Sequence, residues 1–215
     1  MMQYGTDSLN GALAFSCEGN SNPRSKHYSR ILRLSQGNSI IIGRGYDLSS
    51  QSSKQIIQDF TAIGLASKKI EILSKIPDLH ISESRNFIQQ YKNDITLLPE
   101  QEARLFMIAY ERLNEQLEQI LMTSDKRYGS IDKDSIKPYQ WEILLDFLFK
   151  GELHSRIQDL LFVTLRKSIE RKSPDMFDFL IMDFEYWKRA GVNEDRAKMR
   201  SIFIREWNRF SKVNI

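Results

Sequence analysis

Two acidic residues, Glu18 and Asp47, are the side chains in this sequence best suited to acid–base chemistry. Each lies close to turn-forming glycine, and the 28 residues between them contain no other acid. Glycoside hydrolysis needs two carboxyl groups: one protonates the leaving oxygen, and the other activates water or stabilises developing positive charge. The alternative is structural, with Glu18 a solvated charge at a helix end and Asp47 the cap of the next helix. The segment between the two acids also carries five bases, Arg24, Lys26, Arg30, Arg33 and Arg44.

The segment between these acids predicts a β-hairpin over residues 28–44. Tyr28–Leu34 is rich in strand-forming residues, and Ser39–Ile42 ends in three consecutive isoleucines followed by Gly43. Ser35–Asn38 between them has the composition of a turn. Because a two-stranded sheet is only marginally stable alone, helices must cover it.

Beyond the hairpin, apolar residues recur every three or four positions from about Ser52, which predicts helices. Pro99 is placed as the first residue of one helix, with acids in its first turn. Pro138–Lys150 is apolar on nearly every face, so we expect it to be the central, buried helix, ended by Gly151. Three further helices are predicted, at about Ser155–Arg171, Pro174–Lys188 and Asn193–Phe210.

These elements predict an α+β fold that is mostly α. Seven of the ten glycines fall in the first 64 residues, which makes that part rich in turns and leaves the remainder helical. The length of 215 residues fits one domain with two lobes. We expect a small N-terminal hairpin lobe over about 1–66 and a helical lobe over about 67–215, with a ligand cleft between them.

Composition excludes several classes of protein. With 41% apolar and 27% charged residues and a net charge of +3, the sequence is that of a globular protein, and no apolar run approaches the roughly 20 residues of a membrane-spanning helix. The single cysteine, Cys17, excludes an internal disulfide and a cysteine-based zinc site. The absence of Lys or Arg before Arg24 argues against a standard signal peptide, so we expect synthesis in the cytoplasm. No metal site is expected, because the histidines are scattered at His27, His80 and His154.

Four segments of the chain resemble pesticin-type muramidases, which are related to the tailed-phage lysozymes. Phe15–Gly19, with its Glu-Gly pair, is followed by the hairpin and by Ile41–Leu48, similar to the family pattern Thr-Ile-Gly-x-Gly-Tyr-Asp-Leu. Asp146–Glu152 resembles the end of the family's buried helix. Trp187–Lys198 resembles its closing Trp…Gly…Arg segment.

The resemblance implies a lysozyme-like fold and hydrolysis of the β-1,4 bond between N-acetylmuramic acid and N-acetylglucosamine in peptidoglycan. By match, Glu18 would be the general acid, and Asp47 would hold the attacking water or stabilise the oxocarbenium-like state. No metal or organic cofactor is implied. Candidate substrate-binding residues are Ser39, Arg44 and Tyr46; the alternatives are that Ser39 ends the turn, Arg44 belongs to a solvated rim and Tyr46 packs in the core.

A muramidase of this kind would be a phage lysis enzyme or an antibacterial toxin domain. Its partners would be the glycan strands of peptidoglycan and a cognate immunity or inhibitor protein. It would act as a monomer on the cell wall or in the periplasm, after delivery by a lysis or secretion system.

Two departures from the family pattern keep a second hypothesis open. Ile41 stands where the family has its catalytic Thr, and Phe149 stands where it has an Asn. Ser39 lies two residues before Ile41 on the same strand face and is a candidate substitute for the missing hydroxyl. The second hypothesis is a lysozyme-fold protein without catalysis that binds glycan or a protein partner.

A third hypothesis, nucleic-acid binding, depends on the sequence pI of about 8.9 and on the basic C-terminal region. The alternative is a charged outer helix face with its aromatic residues in the core, and we therefore expect no nucleic-acid partner. The residues in question are Trp187, Arg189, Arg196, Lys198, Arg200, Arg205, Trp207 and Arg209.

Overall fold

The computed structural model describes residues 11–18, 29–34, 39–173 and 175–211, and these residues form an α+β fold that is mostly α, as predicted. Three short strands lie near the N-terminus: β1 (Leu32–Arg33), β2 (Ile40–Ile42) and β3 (Tyr46–Asp47). The α-helices are α1 (Ala12–Cys17), α2 (Ser53–Ala62), α3 (Ser67–Leu73), α4 (Ile81–Tyr91), α5 (Pro99–Tyr128), α6 (Pro138–Phe149), α7 (Ser155–Glu170), α8 (Asp175–Met182), α9 (Phe184–Arg189) and α10 (Glu194–Ser211).

The predicted hairpin is present, and a third strand extends it. Strands β1 and β2 are antiparallel, with Leu32 opposite Ile41. The predicted start at Tyr28 and the turn at 35–38 lie outside the described residues. After β2 the chain reverses through Gly43 and Gly45, both at positive φ, so that β3 pairs with β2 in the order β1-β2-β3. Sequence analysis missed β3, because a two-residue strand carries no detectable alternation of polar and apolar residues.

The predicted helices are present, except that one of them is divided in two, and the sequence pattern did not assign α3 and α4. Pro99 and Pro138 are the first residues of α5 and α6, and α6 ends at Phe149, shortly before Gly151 at positive φ. The helix predicted over 174–188 is divided into α8 and α9, because the carboxylate of Asp183 accepts the backbone N–H of Tyr186 and caps a new helix. Within the described ranges, none of these helices is long and apolar enough to cross a bilayer.

The chain divides into two compact units whose bounds differ from the predicted lobes. The sheet unit is Glu18–Glu111, and the helical unit is Met1–Cys17 together with Arg112–Ile215. The sheet unit extends beyond residue 66 because α3, α4 and the start of α5 also pack in its core. Its core joins the sheet to α2, α3 and the start of α5, through buried residues that include Ile40, Ile42, Ile56, Phe60, Ile70, Leu73 and Leu105.

The core of the helical unit is built around α6, as the sequence predicted. Eight of the twelve residues of α6 are buried, a larger share than in any other helix of the described ranges. Both oxygens of the buried Glu142 carboxylate accept the backbone N–H of Gly11, at 3.1 and 3.0 Å, which fixes the first turn of α1 to α6. Leu144 and Phe147 are almost completely inaccessible to solvent.

Truncating Leu144 to Ala is expected to lower the free energy of unfolding by about 2–5 kcal/mol, through lost burial and the cavity that remains. Chemical denaturation measures this directly. The matched control is Met122→Ala in α5, whose side chain is 64% exposed; its cost should stay near 0.5 kcal/mol or below, roughly the level of surface substitutions. Equal costs for the two variants would contradict the central position of α6.

Candidate functional site

Asp47 lies on the face of the sheet opposite to the core. Ile41 pairs with Leu32 on β1 and with Asp47 on β3, so these three residues form one row across the sheet. Because side chains alternate between the two faces of a strand, the row points away from the buried neighbours Ile42 and Tyr46. Directly opposite side chains in an antiparallel pair have Cβ atoms about 4.5–5.5 Å apart. Ile41 is therefore the immediate cross-strand neighbour of the Asp47 carboxylate, and both are half-buried.

The Asp47 side chain is oriented by the turn that follows it. Its Oδ1 accepts the backbone N–H of Ser49 at 2.9 Å, and its carbonyl accepts the hydroxyl of Ser50 at 3.0 Å. The alternative in which Asp47 caps α2 is wrong, because Ser52 caps that helix by accepting the N–H of Gln55 at 3.1 Å. The turn thus fixes the carboxylate through Oδ1, and Oδ2 forms no hydrogen bond within the described part of the chain.

Glu18 follows directly after α1 and is held to the turn between β2 and β3. Its backbone carbonyl accepts a hydrogen bond from Nη1 of Arg44 at 2.6 Å. Arg44 lies between Gly43 and Gly45, three positions before Asp47. The two predicted acids, although 29 positions apart, therefore both belong to the sheet unit and are linked through one turn.

The guanidinium of Arg44 is packed inside the sheet unit, although the sequence predicted a substrate contact there. Its side chain is 12% exposed, and Nε lies 3.6 Å from Oε1 of Glu102. The buried Glu102 carboxylate also accepts the hydroxyl of Ser29 at 2.5 Å through Oε2. The sequence predicts for Glu102 only a place in the first turn of a helix, because its partner Arg44 lies 58 positions away and the pairing leaves no local signal.

Gly43 lets this turn approach Glu102 closely. Its φ is +60°, and a Cβ at this position would lie 3.2 Å from Cδ1 of Leu97 and 3.3 Å from Cγ of Glu102. Both the backbone conformation and the space therefore favour glycine. Close packing against Leu97 and Glu102 thus explains the first glycine of the Gly-x-Gly pattern, whereas the second, Gly45, is explained by its φ of +80°.

Tyr46 belongs to the core, which is the second of the two interpretations of this residue. It is 4% exposed, and its ring packs edge-to-face against Phe60 at 5.5 Å between centroids. The hydroxyl donates to Oδ2 of the buried Asp59 at 2.5 Å. The predicted sugar contact at Tyr46 is therefore wrong, because its side chain is buried in the core. There it positions β3.

Ser39 lines a small open pocket of about 280 Å³ in the sheet unit. Ser49 and Ser84 contribute further hydroxyl-bearing side chains to the pocket, and its apolar wall includes Ile76 and Leu79. Ser49 joins this pocket to Asp47, because its Oγ accepts the N–H of Ile40 at 2.9 Å while its own N–H binds the Asp47 carboxylate. Ser39 lies at this pocket, whereas Ile41 holds the position opposite Asp47.

A buried charge cluster connects the two C-terminal segments of the family resemblance. The Asp146 cluster consists of Asp146, Glu152, Arg196 and Arg200 in the helical unit. Asp146 pairs with Arg196 at 2.6 Å and with Arg200 at 2.7 Å, and Arg200 also lies 2.7 Å from Glu152. The guanidinium of Arg200 stacks 3.5 Å above the ring of Phe147. The cluster joins the end of α6 to the first turns of α10.

This burial changes the interpretation of the basic C-terminal region. Arg196 is 4% exposed and Arg200 is 1% exposed, so two of its cations face the interior. Trp187 is also buried, with its indole N–H donated to the carbonyl of Leu180 at 2.7 Å. These placements remove three of the side chains on which the nucleic-acid hypothesis depends.

The described residues contain no group of three or more His, Cys, Asp or Glu side chains placed to hold a metal ion. His80 caps the start of α4, with Nδ1 at 2.8 Å from the hydroxyl of Ser82, and His154 precedes the first residue of α7. His27 lies outside the described residues.

Comparison with known proteins gives a family but no activity. No curated protein and no solved structure matches the chain. One family model, described as a domain of unknown function (DUF8812), matches residues 11–201. That range contains Glu18, Asp47 and the whole Asp146 cluster, and it covers most of the sequence. The chain therefore belongs to the DUF8812 family of domains of unknown function.

Proposed function

We propose that this protein is a peptidoglycan hydrolase that cleaves the β-1,4 bond between N-acetylmuramic acid and N-acetylglucosamine. The observation that carries the proposal is the hydrogen bond from Arg44 to the carbonyl of Glu18, which ties one candidate acid to the turn that precedes the other. The resemblance to pesticin-type muramidases assigns chemistry to the same two residues. The proposal is also supported by the position of Ile41, which lies directly opposite Asp47 and is the counterpart of the family Thr.

In this proposal, Glu18 protonates the glycosidic oxygen as the bond breaks. Asp47, held through Oδ1 by the N–H of Ser49, uses Oδ2 to orient the attacking water or to stabilise the oxocarbenium-like state. Inversion of configuration requires the two carboxyl groups to be about 6.5–9.5 Å apart in the complex with substrate, which leaves room for the water. No step needs a metal ion or an organic cofactor.

The pocket at Ser39 suits a sugar in this proposal. A pyranose ring has hydroxyl groups at its edge and an apolar face, and the pocket has hydroxyl-bearing serines beside Ile76 and Leu79. The hydrogen bonds of Ser49 connect it to the Asp47 carboxylate. Ser39 thus keeps its proposed role in substrate binding, close to the residue that handles the water.

The same proposal extends to the biological setting. The protein would act on the cell wall as a monomer, after delivery by a phage lysis system or a bacterial secretion system. An organism that makes it as a toxin would need an immunity or inhibitor protein to protect its own peptidoglycan.

The test is digestion of purified peptidoglycan with reducing-end analysis of the products. The proposal expects clearing of the suspension and new reducing ends on N-acetylmuramic acid. New ends on N-acetylglucosamine would assign a different glycosidase, and release of peptides would assign a different class of enzyme. Absence of cleavage in peptidoglycans of several chemotypes would overturn the proposal.

One observation favours a second function, binding of glycan without cleavage. The side chain opposite Asp47 is the apolar Ile41, so the position from which the family Thr would contact a water offers no hydroxyl. Sedimentation with insoluble peptidoglycan, combined with an unchanged product profile, would identify this second function.

The Ile41→Thr variant should cleave peptidoglycan faster than the wild type, by about tenfold or more, because a hydroxyl beside Asp47 would help to position the water. The measurement is the initial rate of reducing-end release at matched protein concentration. Ile41→Val is the control, because it keeps the β-branched shape without adding a hydroxyl. A rate increase in both variants, or in neither, would contradict this role, and thermal unfolding of each variant shows that the fold is retained.

A further inference from the structure

We propose that Arg44 is a positioning residue that holds Glu18 in place, and that Glu102 and Ser29 in turn hold Arg44. This inference rests on the proposed function, in which Glu18 is the general acid. It changes the role that the sequence suggested for Arg44, from contact with substrate to support of another residue. All four residues belong to the sheet unit.

Arg44 and Glu102 form a buried ion pair. The side chain of Arg44 is 12% exposed and that of Glu102 is 7% exposed, so this is an interior ion pair rather than a surface one. A buried charge is costly unless it is paired, so the two residues depend on each other. The Ser29 hydroxyl binds the second carboxylate oxygen of Glu102, which fixes the orientation of that carboxylate.

The guanidinium of Arg44 contacts Glu102 and Glu18 through different nitrogen atoms. Arginine presents five N–H donors in a rigid planar arrangement, so it can engage a carboxylate on one side and a carbonyl on another. Here Nε faces Glu102 while Nη1 donates to the carbonyl of Glu18. A lysine ammonium at the end of a flexible chain cannot reproduce this arrangement.

Close packing and a backbone hydrogen bond hold the residues around the Arg44–Glu102 pair in place. Gly43 leaves just enough space for Glu102 and Leu97 to pack against the turn. The N–H of Leu97 donates to the carbonyl of Ser29 at 3.0 Å, which joins the chain before β1 to the segment before α5. Arg44 is therefore anchored by residues from three separate parts of the sheet unit.

The consequence for catalysis concerns position. Glu102 holds the guanidinium of Arg44, and Arg44 holds the backbone carbonyl of Glu18, so loss of the Glu102 charge weakens the contact that fixes the general acid. Displacement of a catalytic group by about 1 Å can lower the rate by roughly 10²-fold.

The experiment measures kcat and KM of peptidoglycan hydrolysis for the wild type, Glu102→Gln and Arg44→Lys. In Glu102→Gln we expect kcat to fall by about threefold or more, because the guanidinium loses the carboxylate that orients it. In Arg44→Lys we expect kcat to fall by about tenfold or more while KM changes less than about twofold, because the acid is displaced but the sugar contacts remain. Glu100→Gln is the matched control, since Glu100 lies exposed in the same turn of α5.

Ser29→Ala is a milder variant that removes one hydrogen bond and keeps both charges, and it covers the case in which Glu102→Gln fails to fold. It should lower kcat in the same direction as Arg44→Lys. A buried residue with only a structural role would lower the melting temperature and leave kcat and KM of the folded fraction unchanged. An active wild type together with unchanged kcat in these variants overturns the inference.

A second readout separates this inference from the proposed function. The carbonyl ¹³C resonance of Glu18, assigned in labelled protein, reports on the hydrogen bond from Arg44 without any substrate. It should shift in Arg44→Lys and Glu102→Gln and stay in place in Glu100→Gln. If the wild type does not hydrolyse peptidoglycan but the two variants show these shifts, the proposed function is overturned and the positioning role of Arg44 is kept. Unshifted resonances in both variants would overturn the positioning role itself.

Discussion

The Glu18→Gln variant is expected to lose peptidoglycan cleavage by about 10²–10⁴-fold, the usual contribution of a general acid. An amide of the same shape cannot donate a proton to the leaving oxygen. The fold should be retained, because Arg44 binds the backbone carbonyl of Glu18, which the substitution leaves unchanged. Reducing-end release measures the loss, and circular dichroism confirms the fold.

Glu71→Gln is the control for this experiment, because Glu71 also lies in the sheet unit and its side chain is 71% exposed. It should cleave peptidoglycan at the rate of the wild type. Equal activity of the wild type and Glu18→Gln would remove Glu18 from the mechanism and contradict the proposed chemistry. Equal loss in Glu71→Gln would show that the assay reports on net charge rather than on the acid.

The largest effect on stability is expected for Asp146→Asn, which should lower the free energy of unfolding by about 3–5 kcal/mol. The substitution removes the anion that pairs with both Arg196 and Arg200, at 2.6 and 2.7 Å. Both guanidinium groups are buried, and of the two carboxylates in the cluster only Glu152, which lies 2.7 Å from Arg200, then keeps its charge. Chemical denaturation followed by tryptophan fluorescence measures the change.

Asp195→Asn is the matched control, because Asp195 lies in the first turn of α10 with a side chain that is 93% exposed. Its contact with Lys198, at 3.8 Å, is a surface ion pair and should contribute less than about 1 kcal/mol. A cost for Asp146→Asn no larger than that of this control would show that the cluster is hydrated in solution. The effect of Asp146→Asn should also persist at high salt, since buried pairs are poorly screened.

Local patterns predicted most of the helices, because the signals that define them are local as well. Proline at the first position located the starts of α5 and α6. Apolar residues on nearly every face of α6 predicted that this helix is buried. The break between α8 and α9 was missed, although Asp183 is a capping residue, because the apolar period continues through it. The third strand was missed because it depends on the turn at Gly43 and Gly45 rather than on its own composition.

The candidate site was predicted less completely, because its contacts are not local. The sequence pattern singled out Glu18 and Asp47, and the register of β2 and β3 shows which residue stands beside Asp47. The sequence pattern gave no indication that Glu102 belongs to the site, because Glu102 reaches Arg44 only through folding of the sheet unit. Tyr46 was ambiguous in the sequence, since an aromatic ring with a hydroxyl suits both a sugar site and a core, and its burial against Phe60 decides the matter.

The way in which the two units divide the chain sets the order in which they can be completed during synthesis. The sheet unit is one continuous stretch, Glu18–Glu111, so all of its partners have been made once α5 has begun. The helical unit combines the first 17 residues with everything after residue 111, and its Asp146 cluster needs Arg200 from α10. Until α10 has been translated, Asp146 has neither of its cations and α1 lacks part of its packing. On the ribosome, the sheet unit can therefore be completed before the helical unit, whose buried charges find their partners only once α10 has been made.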